Sequence, residues 1–255
     1  MLSVVIIGSG NVAQHLIKAF SVAAEINLIQ AYARRPEKLA HLLPPEKITD
    51  IISELADADV YIISVSDDAI ADVSAQLSFS GRLVVHTSGS TPLEILNSNN
   101  RRGVFYPLQT FSLAKEIDFS TVPICLESEF VDDHKTLQIV ANAISKSIYN
   151  IDSAQRQALH VAAVFVSNFV NHMYVLGSEV SSQNNIPFDI LKPLIKEVAD
   201  KVTSLPPLQA QTGPAVRGDQ KTISRHLDFL RNNRQLSDIY TLLTHSIQQT
   251  NEQKL

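Results

Sequence analysis

The sequence predicts an α/β protein in which an N-terminal doubly wound parallel sheet is followed by an all-helical C-terminal domain. Two observations support this class. Short β-branched apolar runs alternate with short helical segments up to about residue 150, a pattern typical of parallel sheets with helices on both faces. Beyond that point only helical spacing occurs, in segments joined by proline-bearing loops. We therefore predict a sheet domain at residues 1–151 and a helical domain at residues 152–255.

The first strand and helix carry a nucleotide-binding pattern. Residues 2–7, LSVVII, are typical of a strand buried on both faces, and residues 14–20 have apolar side chains at helical spacing. The turn between them opens a helix whose free N–H groups can hold a pyrophosphate. This G-x-G-x-x-A context indicates dinucleotide binding, although a turn kept only for close packing is the alternative. The predicted contacts are Gly8, Ser9, Gly10, Asn11, Val12 and Ala13.

The end of the second strand, residues 26–33, predicts the cofactor. Arg34 and Arg35 follow this strand, where no carboxylate stands. A carboxylate here binds the ribose 2′-hydroxyl of NAD, whereas arginine binds the 2′-phosphate of NADP. We therefore predict NADP, with both arginines on its phosphate. The alternative is a solvated basic loop before a helix that begins at Pro36.

The next strands are predicted at residues 58–65 and 81–85, after a short strand or helical turn at 48–55. Ligands of open α/β sheets lie beyond the carboxyl ends of the strands. We therefore expect the residues that follow these strands to contact the cofactor, with one serine also acting in catalysis. Alternatively, the second turn only caps a helix beginning at Pro92. The residues concerned are Val65, Ser66, His86 and, as the catalytic serine, Ser88.

The rest of the sheet is predicted at residues 103–106, 122–126 and 148–151, with a helix at 131–145. Gln109 follows the first of these strands and is predicted to contact substrate.

Composition narrows the function classes. The net charge of −5 argues against nucleic acid as a partner, and the eight histidines lack metal-ligand spacing, so we predict no metal site. The single cysteine, Cys125, excludes an internal disulfide and is expected to be a buried, inert thiol. Since we find neither a signal peptide nor an apolar run near the roughly 18 residues of a membrane span, we predict no membrane partner and a cytoplasmic location.

The helical half begins with a long helix at residues 153–184, followed by helices at 188–204, 222–231 and 236–249. Polar residues of the first helix share a stripe that faces either substrate or a neighbouring helix. Histidine titrates in the range that suits a proton donor, so we predict His160 as the catalytic acid. Asn168 would orient the substrate and Asn171 would contact it. The apolar character of this helix predicts a homodimer through the helical half.

A glycine- and proline-shaped loop spans residues 209–219. Arg217 is predicted to bind a carboxylate or phosphate of the substrate. The alternative is a plain connector in which Asp219 caps the next helix.

Several segments together resemble Rossmann-type NADP oxidoreductases that carry a helical C-terminal domain of unknown function. That family is similar to pyrroline-5-carboxylate reductase, to deazaflavin-dependent NADP reductases and, more distantly, to 6-phosphogluconate and 3-hydroxyisobutyrate dehydrogenases. The resemblance implies a Rossmann domain, a dimerisation domain like the C-terminal one of 6-phosphogluconate dehydrogenase, and an active site between them. The segments are GSGNVA (8–13), ARR (33–35), HTSG (86–89), YPLQTF (106–111), SNF (167–169) and TGPAVRGD (212–219).

One departure bears on mechanism. The dehydrogenase relatives carry a catalytic lysine one helical turn before this asparagine, where Val164 stands here. A lysine mechanism is therefore not carried over, and His160, two turns before Asn168, is the inferred substitute. The predicted function is hydride transfer between NADP(H) and a small keto, hydroxy or imino metabolite. The alternative is an NADP-binding regulatory or sensor protein without turnover.

Overall fold

The computed structural model describes residues 1–252 and contains an eight-stranded sheet of order β3-β2-β1-β4-β5-β6-β7-β8. Neighbouring strands are parallel except for β6 and β7, which are antiparallel. The predicted parallel sheet is thus confirmed for the first six strands and corrected at the seventh, which returns without a helical crossover. The strands are β1 (Leu2–Ile7), β2 (Ile26–Tyr32), β3 (Ile48–Thr49), β4 (Val60–Ile63), β5 (Leu83–His86), β6 (Arg101–Pro107), β7 (Ile124–Ser128) and β8 (Ile148–Asn150).

Three helices pack on the sheet: α1 (Asn11–Val22), α2 (Ile70–Ala75) and α3 (Val131–Asn142). Successive residues of a strand point to opposite faces. Val4 therefore joins the core beneath α1 and α3, and Val5 joins the core beneath α2. Burial on both faces explains why β1 has no polar alternation.

Two smaller features of this part of the chain bear on the predictions. The helix predicted from Pro92 is only a 3-10 turn, Leu93–Ile95. Cys125 lies in β7 and is buried, and burial raises the pKa of its thiol to about 11.

The long helix extends from Ser153 to Gln183 but is not uniform. It consists of α4 (Ser153–Ala163), a π-helical turn (Val164–Phe169) and α5 (Val170–Gln183). A π turn contains more residues than an α turn and shifts the phase of the side chains that follow. The predicted stripe from His160 to Asn168 assumed 3.6 residues per turn throughout, so that spacing does not hold across the π turn.

This helix also corrects the expectation that no apolar segment approaches the length of a membrane span. Over 31 residues it contains an 18-residue window of mean hydropathy 1.3, which by length and composition alone is enough to cross a membrane. Only 6% of that window is buried within the chain. Scattered histidines and asparagines interrupt the apolar residues, so no single run marks it in the sequence.

The chain divides into two compact units, Met1–Ser167 and a second unit that begins at Asn168. This division falls inside the long helix, whereas the predicted domain boundary at 151/152 lies before that helix. Helix α4 belongs to the first unit because Arg156 is buried there against Glu127 of β7. The second unit contains α5 and the helices α6 (Lys192–Ser204), α7 (Pro207–Ala210), α8 (Gln220–Leu230) and α9 (Arg234–Glu252).

Candidate nucleotide-binding and active site

A cleft of about 750 Å³ lies in the first unit, at the carboxyl ends of β1, β2, β4, β5 and β6. This is the edge at which the sequence predicted the site, and most of the predicted residues of this unit line it. They are Gly8, Ser9, Gly10, Asn11, Val12, Arg34, Arg35, Val65, Ser66, Ser88, Gln109 and His160.

The turn between β1 and α1 forms one wall of the cleft. A Cβ on Gly8 would lie 2.0 Å from the carbonyl oxygen of Ser64, and Gly8 has a φ of +139° that side chains rarely adopt. A Cβ on Gly10 would meet no atom within 4 Å. Gly10 precedes α1, and no side chain caps that helix. Free N–H groups beside open space fit a pyrophosphate.

Basic side chains lie at the end of the cleft formed by β2. Arg34 and Arg35 are exposed, and within residues 1–252 neither forms an ion pair with a carboxylate. Lys38 also lines the cleft, since the 3-10 turn Pro36–Lys38 follows the arginines directly. Three cations beside the end of β2 suit a 2′-phosphate. The sequence analysis missed Lys38 although it lies in the same basic segment.

Tyr106 and His160 meet at the opposite end of the cleft. The Tyr106 hydroxyl oxygen lies 3.3 Å from Nδ1 of His160. A Cβ on Gly89 would lie 2.6 Å from Cζ of Tyr106 and 2.7 Å from Nδ1 of His160, so glycine is what allows the two rings to approach this turn. Burial raises the pKa of Tyr106 to about 12, so its phenol stays protonated at neutral pH. The sequence analysis placed Tyr106 in a strand and predicted no functional role for it.

The structure corrects the cofactor prediction for His86. Its ring is fully buried and does not line the cleft. Nδ1 of His86 accepts a hydrogen bond of 3.1 Å from the N–H of Ser88. Burial first, and the nearby charge of Arg156 second, lower the pKa of His86 to about 4, so the ring is neutral at pH 7. Ala13 is likewise buried, and its methyl group packs in the core instead of facing the cleft.

Ser88 lines the cleft, but its hydroxyl is engaged within its own turn. It donates to Oγ1 of Thr91 at 2.8 Å and accepts from the N–H groups of Ser90 and Thr91 at 3.2 and 3.0 Å. Ser90 in turn donates to Oδ2 of Asp67 at 2.6 Å. The Ser88 hydroxyl therefore holds the turn, and the catalytic role predicted for it stays a prediction.

The residues predicted to bind or orient substrate belong to both units. Gln109 is at the cleft, but its Oε1 accepts from the neighbouring N–H of Thr110 at 2.8 Å. Asn168, Asn171 and Arg217 belong to the second unit, where all three are exposed. Their contacts with substrate stay predictions.

The loop that contains Arg217 also contains the helix cap that was predicted in the alternative, in which this loop is a plain connector. Asp219 accepts from the N–H of Thr222 at 3.1 Å and so caps α8. That hydrogen-bonding partner also lowers the pKa of the Asp219 carboxyl.

Comparison with known proteins identifies the family. Residues 3–89 match the model described as "NADP oxidoreductase coenzyme F420-dependent", and residues 122–247 match a domain of unknown function, DUF2520. A Bacteroides fragilis protein, named as a presumed NADP oxidoreductase, is 38% identical over 97% of this chain and 98% of its own, with a TM-score of 0.86. The chain belongs to this NADP oxidoreductase family.

Other similar structures show the fold alone. Protein TM1727 from Thermotoga maritima is 20% identical over 98% of this chain and 99% of its own, with a TM-score of 0.76. Plasmodium falciparum pyrroline carboxylate reductase with NADP bound is 13% identical over 98% of each chain, with a TM-score of 0.62. Among curated protein sequences, none matches this chain.

Proposed function

We propose that the protein uses NADP(H) to reduce or oxidise a small keto, hydroxy or imino metabolite. The observation that carries this proposal is a single cleft with a phosphate-binding turn and three cations at one end and a protonated phenol beside a histidine at the other. Such a cleft matches both halves of a nicotinamide nucleotide and adds acid groups where a substrate would react.

Each part of the cleft has a separate task. Backbone N–H groups at the start of α1 would hold the pyrophosphate, and Arg34 and Arg35 would hold the 2′-phosphate. NADPH, when bound, supplies a hydride to the substrate carbon. The substrate oxygen or nitrogen takes up a proton in the same reduction, and His160 is the proposed donor, with its ring held by the hydroxyl of Tyr106.

Three residues of the second unit are also proposed to bind or orient the substrate. Asn168 is proposed to orient the substrate, Asn171 to contact it, and Arg217 to bind an acidic group on it. Support for a C=N substrate comes from two fold relatives, a pyrroline-5-carboxylate reductase from Coxiella burnetii and an imine reductase from Myxococcus stipitatus, the latter in complex with NAD⁺.

The test is a fluorescence titration with NADPH and NADH, followed by NADPH oxidation assays with a panel of keto and imino acids. We expect tighter binding of NADPH and turnover with at least one class. His160→Gln should lower kcat about 100-fold or more without weakening NADPH binding. His41→Gln is the control, because His41 is an exposed histidine that does not line the cleft.

Two other outcomes would change the conclusion. NADPH binding without any turnover would favour the sensor alternative, which Val164 in the place of the catalytic lysine supports. Preference for NADH would contradict the cofactor assignment.

The apolar face of the long helix supports a homodimer. Val161, Val166 and Val175 are each more than half exposed. The helix also carries asparagine and histidine side chains, which are costly in lipid and readily satisfied at a protein interface. We therefore propose that a second copy of the chain covers this face. We also propose that the protein is cytoplasmic. Sedimentation equilibrium tests the dimer, and monomers that partition into phospholipid vesicles would contradict it.

A further inference from the structure

Arg156 is a buried cation on α4, one helical turn before His160. Its side chain is 1% exposed and forms an ion pair with Glu127 of β7. Nη2 of Arg156 also donates to the carbonyl oxygen of Thr91 at 2.6 Å and to Oγ of Ser153 at 3.2 Å. One guanidinium therefore joins β7, the turn after β5 and the start of α4.

Glu127 binds the same helix at a second place. Its Oε1 accepts from both the N–H and the hydroxyl of Ser153 at 3.0 Å, and Ser153 is the first residue of α4. A carboxylate at a helix N-terminus is favoured by the helix dipole. We call the group of Arg156, Glu127, Ser153 and Thr91 the latch. None of these four residues is among those that line the cleft in the described part of the chain.

The latch reaches both members of the Tyr106–His160 pair. Positions 156 and 160 are four residues apart in an α-helix and so lie on the same face. Tyr106 lies in β6 opposite Cys125, two residues before Glu127 on the neighbouring strand. The ion pair therefore joins the helix that holds His160 to β7, and β7 pairs in turn with β6, the strand that holds Tyr106.

We infer that Arg156 is a positioning residue, and that the latch sets the separation of Tyr106 and His160. These two residues lie at the end of the cleft opposite the arginines, which we call the inner end. The planar fork of arginine holds two acceptors at fixed angles, which lysine cannot reproduce. Apolar pairs often stabilise a protein as well as a buried ion pair does. Stability alone therefore does not account for a guanidinium that binds two acceptors here.

The expected loss of turnover in latch variants rests on the proposed function, whereas the expected loss of the Tyr106–His160 contact does not. The ring centroids of Tyr106 and His160 are 6.3 Å apart, close enough for NMR to detect a nuclear Overhauser effect between ring protons. The experiment measures this contact in protein selectively labelled at tyrosine and histidine, with NADP⁺ present. His160→Gln and Tyr106→Phe assign the signals.

The variants are Arg156→Lys and Glu127→Gln, which keep the size of each side chain. Arg102→Lys is the matched control, because Arg102 of β6 forms an arginine–glutamate ion pair with Glu129, the residue after β7, and neither residue belongs to α4. We expect the ring contact to vanish in both latch variants and to persist in the control. With a turnover substrate in hand, kcat should fall about 100-fold in the latch variants at an unchanged KM for NADPH.

Three results would overturn the inference: a ring contact that persists in both latch variants, an equal loss of contact in Arg102→Lys, or a rise in KM for NADPH at constant kcat. Should one latch variant fail to fold, the other decides the question. If the wild-type protein turns over no substrate, the proposed reaction fails, and the NMR contact still decides whether the latch positions the pair.

Discussion

The two ends of the cleft are built by different means. The phosphate end uses backbone groups and consecutive arginines from the first 35 residues of the chain, around Gly8 and Gly10. The inner end uses the side chains of Tyr106 and His160 beside the backbone of Gly89, which come from distant segments and meet only after the sheet has formed. Local geometry therefore forms the phosphate end, whereas long-range packing forms the Tyr106–His160 pair.

Gly8→Ala should have the largest effect at the phosphate end. Its Cβ would collide with the backbone of Ser64, and its φ is unfavourable for alanine. We expect the free energy of unfolding, measured in urea, to fall by about 3 kcal/mol or more. Gly10→Ala is the matched control, since its Cβ enters open space. That variant should unfold like the wild type but bind NADPH more weakly, and equal destabilisation of the two would contradict this account.

Behind the cleft lining, the burial of His86 in β5 predicts a pH-dependent stability. The pKa of this ring is lowered from 6.5 to about 4, so the unfolded chain binds the proton more readily than the folded one. The contribution of the neutral His86 ring to the free energy of unfolding is complete above pH 6.5 and is lost as pH falls towards 4. The loss amounts to about 3 kcal/mol at its largest. Urea unfolding at several pH values should show a shallower decline for His86→Gln, and identical slopes would contradict the prediction.

Arg34→Ala combined with Arg35→Ala tests the 2′-phosphate site. Each charge-assisted pair with a phosphate is expected to contribute about 1.5–3 kcal/mol. NADPH binding should therefore weaken by about 100-fold or more, while NADH binding changes little. Fluorescence titration with both nucleotides measures the difference. Equal weakening of the two would mean that the arginines do not distinguish them.

Lys38→Ala should give the smallest effect. A single exposed lysine contributes about 1 kcal/mol at such a site, so NADPH affinity should fall by about fivefold and the loss should shrink at high salt. Lys18→Ala is the control, because Lys18 lies on α1 outside this cleft. An effect as large as that of the arginine pair would make Lys38 the main phosphate ligand.

Sequence reasoning found the phosphate end because its signals are local. A glycine turn between strand and helix, and two arginines after the next strand, are visible in any window of about 30 residues. The same reasoning failed at His86, which ends a strand at the correct edge but turns into the protein, whereas Ser88 lines the cleft and bonds within its own turn. Position along a strand predicts the edge of the sheet, whereas the direction and partners of each side chain depend on packing.

The amino-acid sequence by itself determined the alternation of strand and helix, the glycine turn between β1 and α1, and the two arginines on which the NADP prediction rests, because each depends on periodicity and neighbouring residues. Only the tertiary structure decided that β7 runs antiparallel, that the long helix contains a π turn, and that Tyr106 meets His160 beside a buried Arg156. These features depend on contacts between residues far apart in the chain, and the burial that makes them favourable exists only once the sheet is formed.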